Sequence, residues 1–149
     1  MVKSSSAAAF LAAASSVAVA DWHIINWEAG CARSGCFYIF NVTGPASEDG
    51  KIPSFGASCN AYEYRKPQAF TPCGINDSGA GNRGVSAKFV PRVEPNGILE
   101  KVAVSFAFTD LKTGAVRNFT GTTNIQINQF VAPRQNYTIS DIKENIKEN

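Results

Sequence analysis

Residues 98–109 alternate in character. Ile98, Val102, Val104, Phe106 and Phe108 fall on one side, with only Glu100 out of pattern, and Leu99, Lys101, Ala103, Ser105, Ala107 and Thr109 fall on the other. Successive side chains of a strand point to opposite faces, so a period of two predicts a long, half-buried β-strand. The period recurs at residues 85–93, with Val85, Ala87 and Phe89 against Lys88 and Arg92. Between the two segments stands Glu94-Pro95-Asn96-Gly97. Proline followed by Asn-Gly is turn chemistry, which predicts a hairpin. Asp110-Leu111-Lys112-Thr113-Gly114 turns the chain again, into strands expected at residues 116–120 and 122–130, with Ile125 and Ile127 on one face.

The N-terminal half has the same period. Residues 22–27 read as a strand. Residues 36–43 read as a stronger one, apolar on both faces and so central in its sheet. Gly44-Pro45 ends it. Residues 54–59 alternate through Phe55, Ala57 and Cys59; residues 60–72 read as a long connection, and residues 73–84, rich in Gly, Asn and Ser, as a loop. The expected fold is all-β, an antiparallel β-barrel or β-sandwich of seven to eight strands. The one helical signal is terminal: Ser140 as a cap for residues 141–147, with Ile142 and Ile146 one turn apart.

The first twenty residues are of another kind. Lys3 gives a positive start, residues 7–14 a mildly apolar run, and Ala18-Val19-Ala20 a small-x-small site before Asp21. This is the pattern of a secretory signal peptide. The apolar run is shorter than the roughly 17–25 residues that span a bilayer. The expected organisation is a signal peptide over 1–20, a secreted β domain over 21–131 and a C-terminal tail over 132–149, extracellular and without membrane insertion. With 44% hydrophobic and 17% charged residues, the chain has the balance of a packed core. A net charge of +2 without a concentrated basic run excludes the usual footprint of a nucleic-acid binder.

Four cysteines, Cys31, Cys36, Cys59 and Cys73, are an even number in an exported chain, so two disulfides are expected. Their spacings, with a single histidine, fit no common zinc pattern. Four cysteines allow three connectivities: local pairing would staple two loops, and crossed pairing would join Cys36 to Cys59 if those segments are neighbouring strands.

The residues singly associated with catalysis form no constellation. Gly79-Ala80-Gly81-Asn82-Arg83-Gly84 matches G-x-G-x-x-G, but a strand follows it where a nucleotide site needs a helix. His23 has no nucleophile motif to serve and reads as an ordinary strand residue. Glu28, Glu63, Asp77 and Asp110 are candidate carboxylates with nothing to mark a pair. Asn76-Asp77-Ser78 lacks the acidic density of a calcium loop. No catalytic residue, metal or cofactor is expected. Sequons at Asn41, Asn76, Asn118 and Asn136 are candidate glycosylation sites. The segment 60–72 carries the best candidate binding loop: Tyr62, Tyr64, Arg65, Lys66 and Phe70, in which tyrosine and arginine are residue types favoured at binding hot spots. The alternative is a module for a glycan or small ligand, with Trp22, Trp27, Tyr62 and Tyr64 as a stacking platform.

The export signal, the β pattern, Trp22 near the mature start, the strand at residues 36–43 and the segment F-x-x-x-C…F-T-P-C-G (Phe55 to Gly74) together resemble the fungal small secreted proteins typified by the major allergen of Alternaria. The resemblance covers most of residues 22–131. It implies an antiparallel β-barrel with local disulfides and no enzymatic residues, acting as an allergen, an elicitor of cell death or an effector bound by plant defence proteins. The partner it implies is a host extracellular protein or glycan, met by a monomer or weak dimer. It also implies that Cys59 pairs with Cys73; on that reading Cys31 pairs with Cys36. No cysteine follows Cys73, where the family carries a second pair, and Cys31 and Cys36 stand instead.

Overall fold

The computed structural model describes residues 19–63, 69–91, 99–127 and 133–146. Ten strands, and no helix, occur among the described residues: β1 (Trp22–Ala32), β2 (Gly35–Gly44), β3 (Phe55–Glu63), β4 (Thr71–Pro72), β5 (Gly74–Ile75), β6 (Arg83–Pro91), β7 (Leu99–Thr109), β8 (Val116–Asn124), β9 (Gln135–Ile139) and β10 (Asp141–Glu144). They form two antiparallel sheets, in the order β5-β3-β2-β1-β9 and β10-β8-β7-β6-β4. The fold is a disulfide-bonded β-sandwich rather than a closed barrel. β2 is the middle strand of the first sheet, as expected, but only one of its faces is covered by the other sheet: Ile39 on the opposite face is well exposed.

The count exceeds seven or eight because short strands were hidden in segments that read as loops. β3 does not stop at Cys59; it runs to Glu63 because Asn60, Ala61 and Tyr62 stay in register with Ile39, Tyr38 and Phe37 of β2. β4 and β5 lie within the expected connection and loop. Val116–Asn124 is one strand where two were expected, paired along its length with β7. β6 and β7 pair antiparallel from Arg83–Phe108 to Pro91–Leu99, the expected hairpin arms. The Glu94–Gly97 turn itself lies outside the described residues, as do residues 1–18 of the expected signal peptide.

The helix expected at residues 141–147 does not form. Residues 141–144 pair with β8 instead, Ile142 opposite Gly121. The side chain decides this: Ile142 packs against the core, while Ile146, its partner on a helical face, is exposed. Just before it, β9 pairs with β1 in the other sheet. The chain therefore switches sheets at Ser140. It does so again at Cys73, between β4 and β5. Both lateral openings of the sandwich are thus spanned by short strands that change sheets, a way of covering edges that would otherwise template aggregation.

Aromatic side chains fill the space between the sheets. Phe55 stacks on Phe106 with ring centres 4.2 Å apart, and Trp22 meets Phe55 edge-on at 5.3 Å. Tyr38 meets Phe89 edge-on at 5.1 Å, and its hydroxyl donates to Ala87 O at 3.0 Å, so this polar group crosses the interface satisfied. Disulfides join Cys31 to Cys36 and Cys59 to Cys73. The first links directly opposed residues of the β1–β2 hairpin. The second reaches from a buried position on β3 to the crossover, where Cys73 N–H donates to Val85 O at 2.8 Å. Cys73 therefore holds the first sheet by its sulfur and the second by its backbone.

Candidate functional site

Alternation along β2 sends Tyr38, Phe40 and Val42 into the core and Phe37, Ile39, Asn41 and Thr43 to the outer face of the first sheet. The register lays this face out in rows: Ile25–Asn41–Ser58, then Glu28–Ile39–Asn60, then Gly30–Phe37–Tyr62. Three large apolar side chains remain well exposed on it: Tyr62 at 52%, Ile39 at 48% and Ile25 at 39%. Phe37 is half-buried beside Tyr62. The Tyr62 hydroxyl shares a hydrogen bond with that of Ser34, in the β1–β2 turn. The Cys31–Cys36 disulfide clamps the strands of that turn one row away, on the inner face. The result is an aromatic corner held by a hairpin, a disulfide and a side-chain hydrogen bond.

Tyr62 begins the expected binding loop; Tyr64, Arg65 and Lys66 lie outside the described residues. Phe70 is half-buried on the far side, with Lys88 Nζ 4.7 Å from its ring centre. Lys88 belongs to β6, in the second sheet. The loop thus passes from one sheet to the other, and Tyr62 and Phe70 do not share a surface.

The stacking platform is corrected. Trp22 and Trp27 are both buried, 2% exposed. Trp22 packs on Phe55 and Phe106; Trp27 packs among Tyr38, Phe40, Phe89 and Tyr137, and its Nε1–H donates to Gln126 O at 2.9 Å. Only Tyr62 of that set is placed at the surface among the described residues.

The candidate carboxylates take structural parts. Asp77 accepts from Gly56 N–H at 3.0 Å, Gly79 N–H at 2.8 Å and Arg83 Nη1 at 2.8 Å. The Gly56 hydrogen bond, with those from Gly79 and Arg83, holds its pKa below the ordinary 3.8 against a smaller desolvation effect. Asp77 is thereby the brace of the Gly-rich loop, which it ties to β3, and the chain enters β6 directly at Arg83. Asp110 accepts from Lys112 N–H in the turn before β8. Glu28 and His23 are exposed on β1, and Glu63 is the last residue of β3. Among the described residues, no three His, Cys, Asp or Glu side chains gather into a metal-binding cluster.

The candidate glycosylation asparagines have different surroundings. Asn41 Oδ1 accepts from Ser58 Oγ at 2.7 Å, and Asn76 Nδ2 donates to the same Oγ at 2.9 Å. Asn118 is half-buried and accepts from Ser105 Oγ at 2.9 Å. Asn136 is exposed on β9 and accepts from the Asn26 N–H.

One feature lay outside the expectations. Asn124, Ile125, Gln126, Gln135, Asn136 and Tyr137 line an open cleft of about 490 Å3 between the end of β8 and the start of β9. Its wall is knitted together: Gln126 N–H donates to the Tyr137 hydroxyl, which donates to Gln135 Oε1, and Gln135 Nε2 donates to Gln126 Oε1. The signal for it was the density of carboxamides around residues 124–136, in two segments that only tertiary folding brings together. Compared with protein-family models, curated proteins and solved structures, the chain has no match.

Proposed function

We propose that this is a secreted, non-catalytic binding protein of the effector or elicitor type, whose docking surface is the aromatic corner of the first sheet. The observation that carries the reading is Tyr62: a large aromatic side chain, half exposed, on a rigid sheet beside Phe37 and tied to Ser34. A preorganised aromatic anchor loses little entropy on binding, which is the property of a hot spot. Support for export comes from the signal-peptide pattern, with the mature chain beginning at Asp21, and from two disulfides of the kind that persist in oxidising compartments. Support for effector action on a plant extracellular target comes from the resemblance to the fungal small secreted proteins.

The test is infiltration of purified protein into leaf tissue, with cell death scored against dose, for the wild type and Tyr62→Ser. The variant is expected to keep its near-ultraviolet circular dichroism and to lose at least about tenfold in potency, the effect of one hot-spot residue. A folded variant of undiminished potency refutes the docking surface.

A second reading has its own observation. The cleft around Tyr137 is lined by carboxamides with no charged side chain, a chemistry suited to a neutral glycan. Retention of the protein on immobilised neutral polysaccharide, abolished by Gln135→Ala and untouched by Tyr62→Ser, favours that reading over the first.

A further inference from the structure

Ile25 and Ile39 are exposed aliphatic side chains on the outer face of a sheet whose inner face is core, and Asn41 stands beside both. It lies directly opposite Ile25 on β1 and two residues from Ile39 along β2, on the same face. Directly opposed side chains start about 4.5–5.5 Å apart, and same-face neighbours on one strand about 7 Å. Asn41 heads the sequon Asn41-Val42-Thr43, in which Val42 is fully buried while Asn41 and Thr43 face outward. Its carboxamide is oriented from one side. Ser58 on β3 donates to Oδ1 and is itself held by Asn76 Nδ2. With Oδ1 fixed toward β3, the planar amide turns Nδ2 away from β3.

We propose that Asn41 carries an N-linked glycan and that its first N-acetylglucosamine lies over Ile25 and Ile39. The group comes from a lipid-pyrophosphate-linked oligosaccharide of the secretory pathway. A bond forms between Asn41 Nδ2 and the sugar C1, the C1–oxygen bond to pyrophosphate breaks, the lipid pyrophosphate leaves, and the amide loses one proton. Glycosylation leaves Oδ1 unchanged, so the Ser58 hydrogen bond is retained. The apolar face of the sugar ring and its acetyl methyl then cover aliphatic surface that otherwise meets water. No other sequon stands beside Ile25 and Ile39: Asn76 uses Nδ2 to hold Ser58, Asn118 lies on β8 in the second sheet, and Asn136 sits on β9, separated from Ile39 by β1. The proposal requires passage through the secretory pathway and does not depend on where the protein docks. A glycan there leaves the Phe37–Tyr62 row as the uncovered apolar part of this face.

The experiment secretes the full chain from yeast behind the host's own leader, so that the result does not depend on residues 1–20. Trypsin, after reduction and alkylation, releases residues 34–51, which contain the Asn41 sequon and none of the other three. Peptide N-glycosidase in heavy-oxygen water is expected to convert Asn41 to labelled Asp in most molecules. An unlabelled Asn41 overturns the proposal. Coverage is read separately. Thr43→Ala removes the sequon but keeps Asn41 and its Ser58 bond, and is expected to raise fluorescence of an apolar dye about twofold. Trimming the wild-type glycan to one sugar leaves the dye signal low, and Ile25→Ser with Ile39→Ser abolishes the rise in the Thr43→Ala background. Equal dye binding by the one-sugar form and Thr43→Ala overturns the covering role.

Discussion

The backbone N–H of Asn26 donates to Oδ1 of Asn136 at 3.1 Å, across 110 residues of sequence. Asn26 has φ of 57° and sits in a β-bulge: Ile25 pairs with Asn41 and Glu28 with Ile39, so Asn26 and Trp27 together face one residue of β2. The extra residue reverses the alternation of β1. Ile24 points inward before it and Trp27 points inward after it, whereas strict alternation would send Trp27 to solvent. The left-handed conformation suits asparagine or glycine. Asn26→Gly is therefore expected to be nearly neutral, and Asn26→Val to cost about 1–2 kcal/mol in urea unfolding. Equal stability of the two variants would refute the account of the bulge.

Gly121 leaves room for the sheet switch at Ser140. A Cβ there would fall 2.4 Å from Ile139 Cγ2 and 2.9 Å from Ile142 Cγ1. Ile139 is fully buried, so the neighbour cannot swing into solvent. Gly121→Ala is expected to destabilise by about 1–3 kcal/mol through overpacking, and Gly121→Val by more. Chemical denaturation compares them; an unchanged midpoint for Gly121→Ala shows that β9 and β10 can shift without cost.

The two disulfides close loops of different length, with separations of 5 and 14 residues. On the chain-entropy model the longer loop is worth about 3 kcal/mol and the shorter one about 2 kcal/mol. Cys59 is also buried and part of the core. Replacing Cys59 and Cys73 by alanine is therefore expected to lower stability more than replacing Cys31 and Cys36. The reverse order in denaturant melts would mean that the hairpin clamp carries the greater share.

Acid should loosen the Gly-rich loop. Asp77 has a pKa held below its ordinary 3.8, chiefly by the Gly56 N–H, so its carboxylate contributes stability above 3.8 and loses it as pH falls through the lower folded value. Glu144, bound in two hydrogen bonds to Arg117, is shifted the same way from 4.5 and acts in the same acid limb. Asp77→Asn is expected to be less stable than the wild type near neutral pH by about 1–2 kcal/mol, with the gap closing as pH falls below 3.8. Melting curves across that range measure it. A gap that stays constant in acid would show that charge at Asp77 is irrelevant.

Class and main strands were legible because burial of one face writes a period of two into the residues themselves, as at Val102, Val104, Phe106 and Phe108. The central place of β2 was expected from its apolar run, yet its outer face, with Ile39, Asn41 and Thr43, is open to solvent; the hydrogen-bond partners on both sides make it central. The candidate site was legible only in part. Tyr62 was marked by its residue type and its loop, but its neighbours Phe37 and Ser34 come from another strand and another turn, and only register brings them together. Trp22 and Trp27 belong to the stacking platform of the alternative reading, yet the opposing sheet buries both, Trp27 because the bulge at Asn26 turns it inward. The tail misled for a related physical reason. Ile142 and Ile146 are spaced for a helix, and local spacing is all that a short charged segment displays. β10 instead gains a ladder with β8 and a place for Ile142 over Gly121, and those partners lie far outside the local segment. Local sequence determined which residues alternate and where the chain turns. Tertiary structure decided which strands continue, which short segments become strands and which aromatics reach the surface, because those outcomes depend on hydrogen-bond partners and buried area supplied by the other sheet.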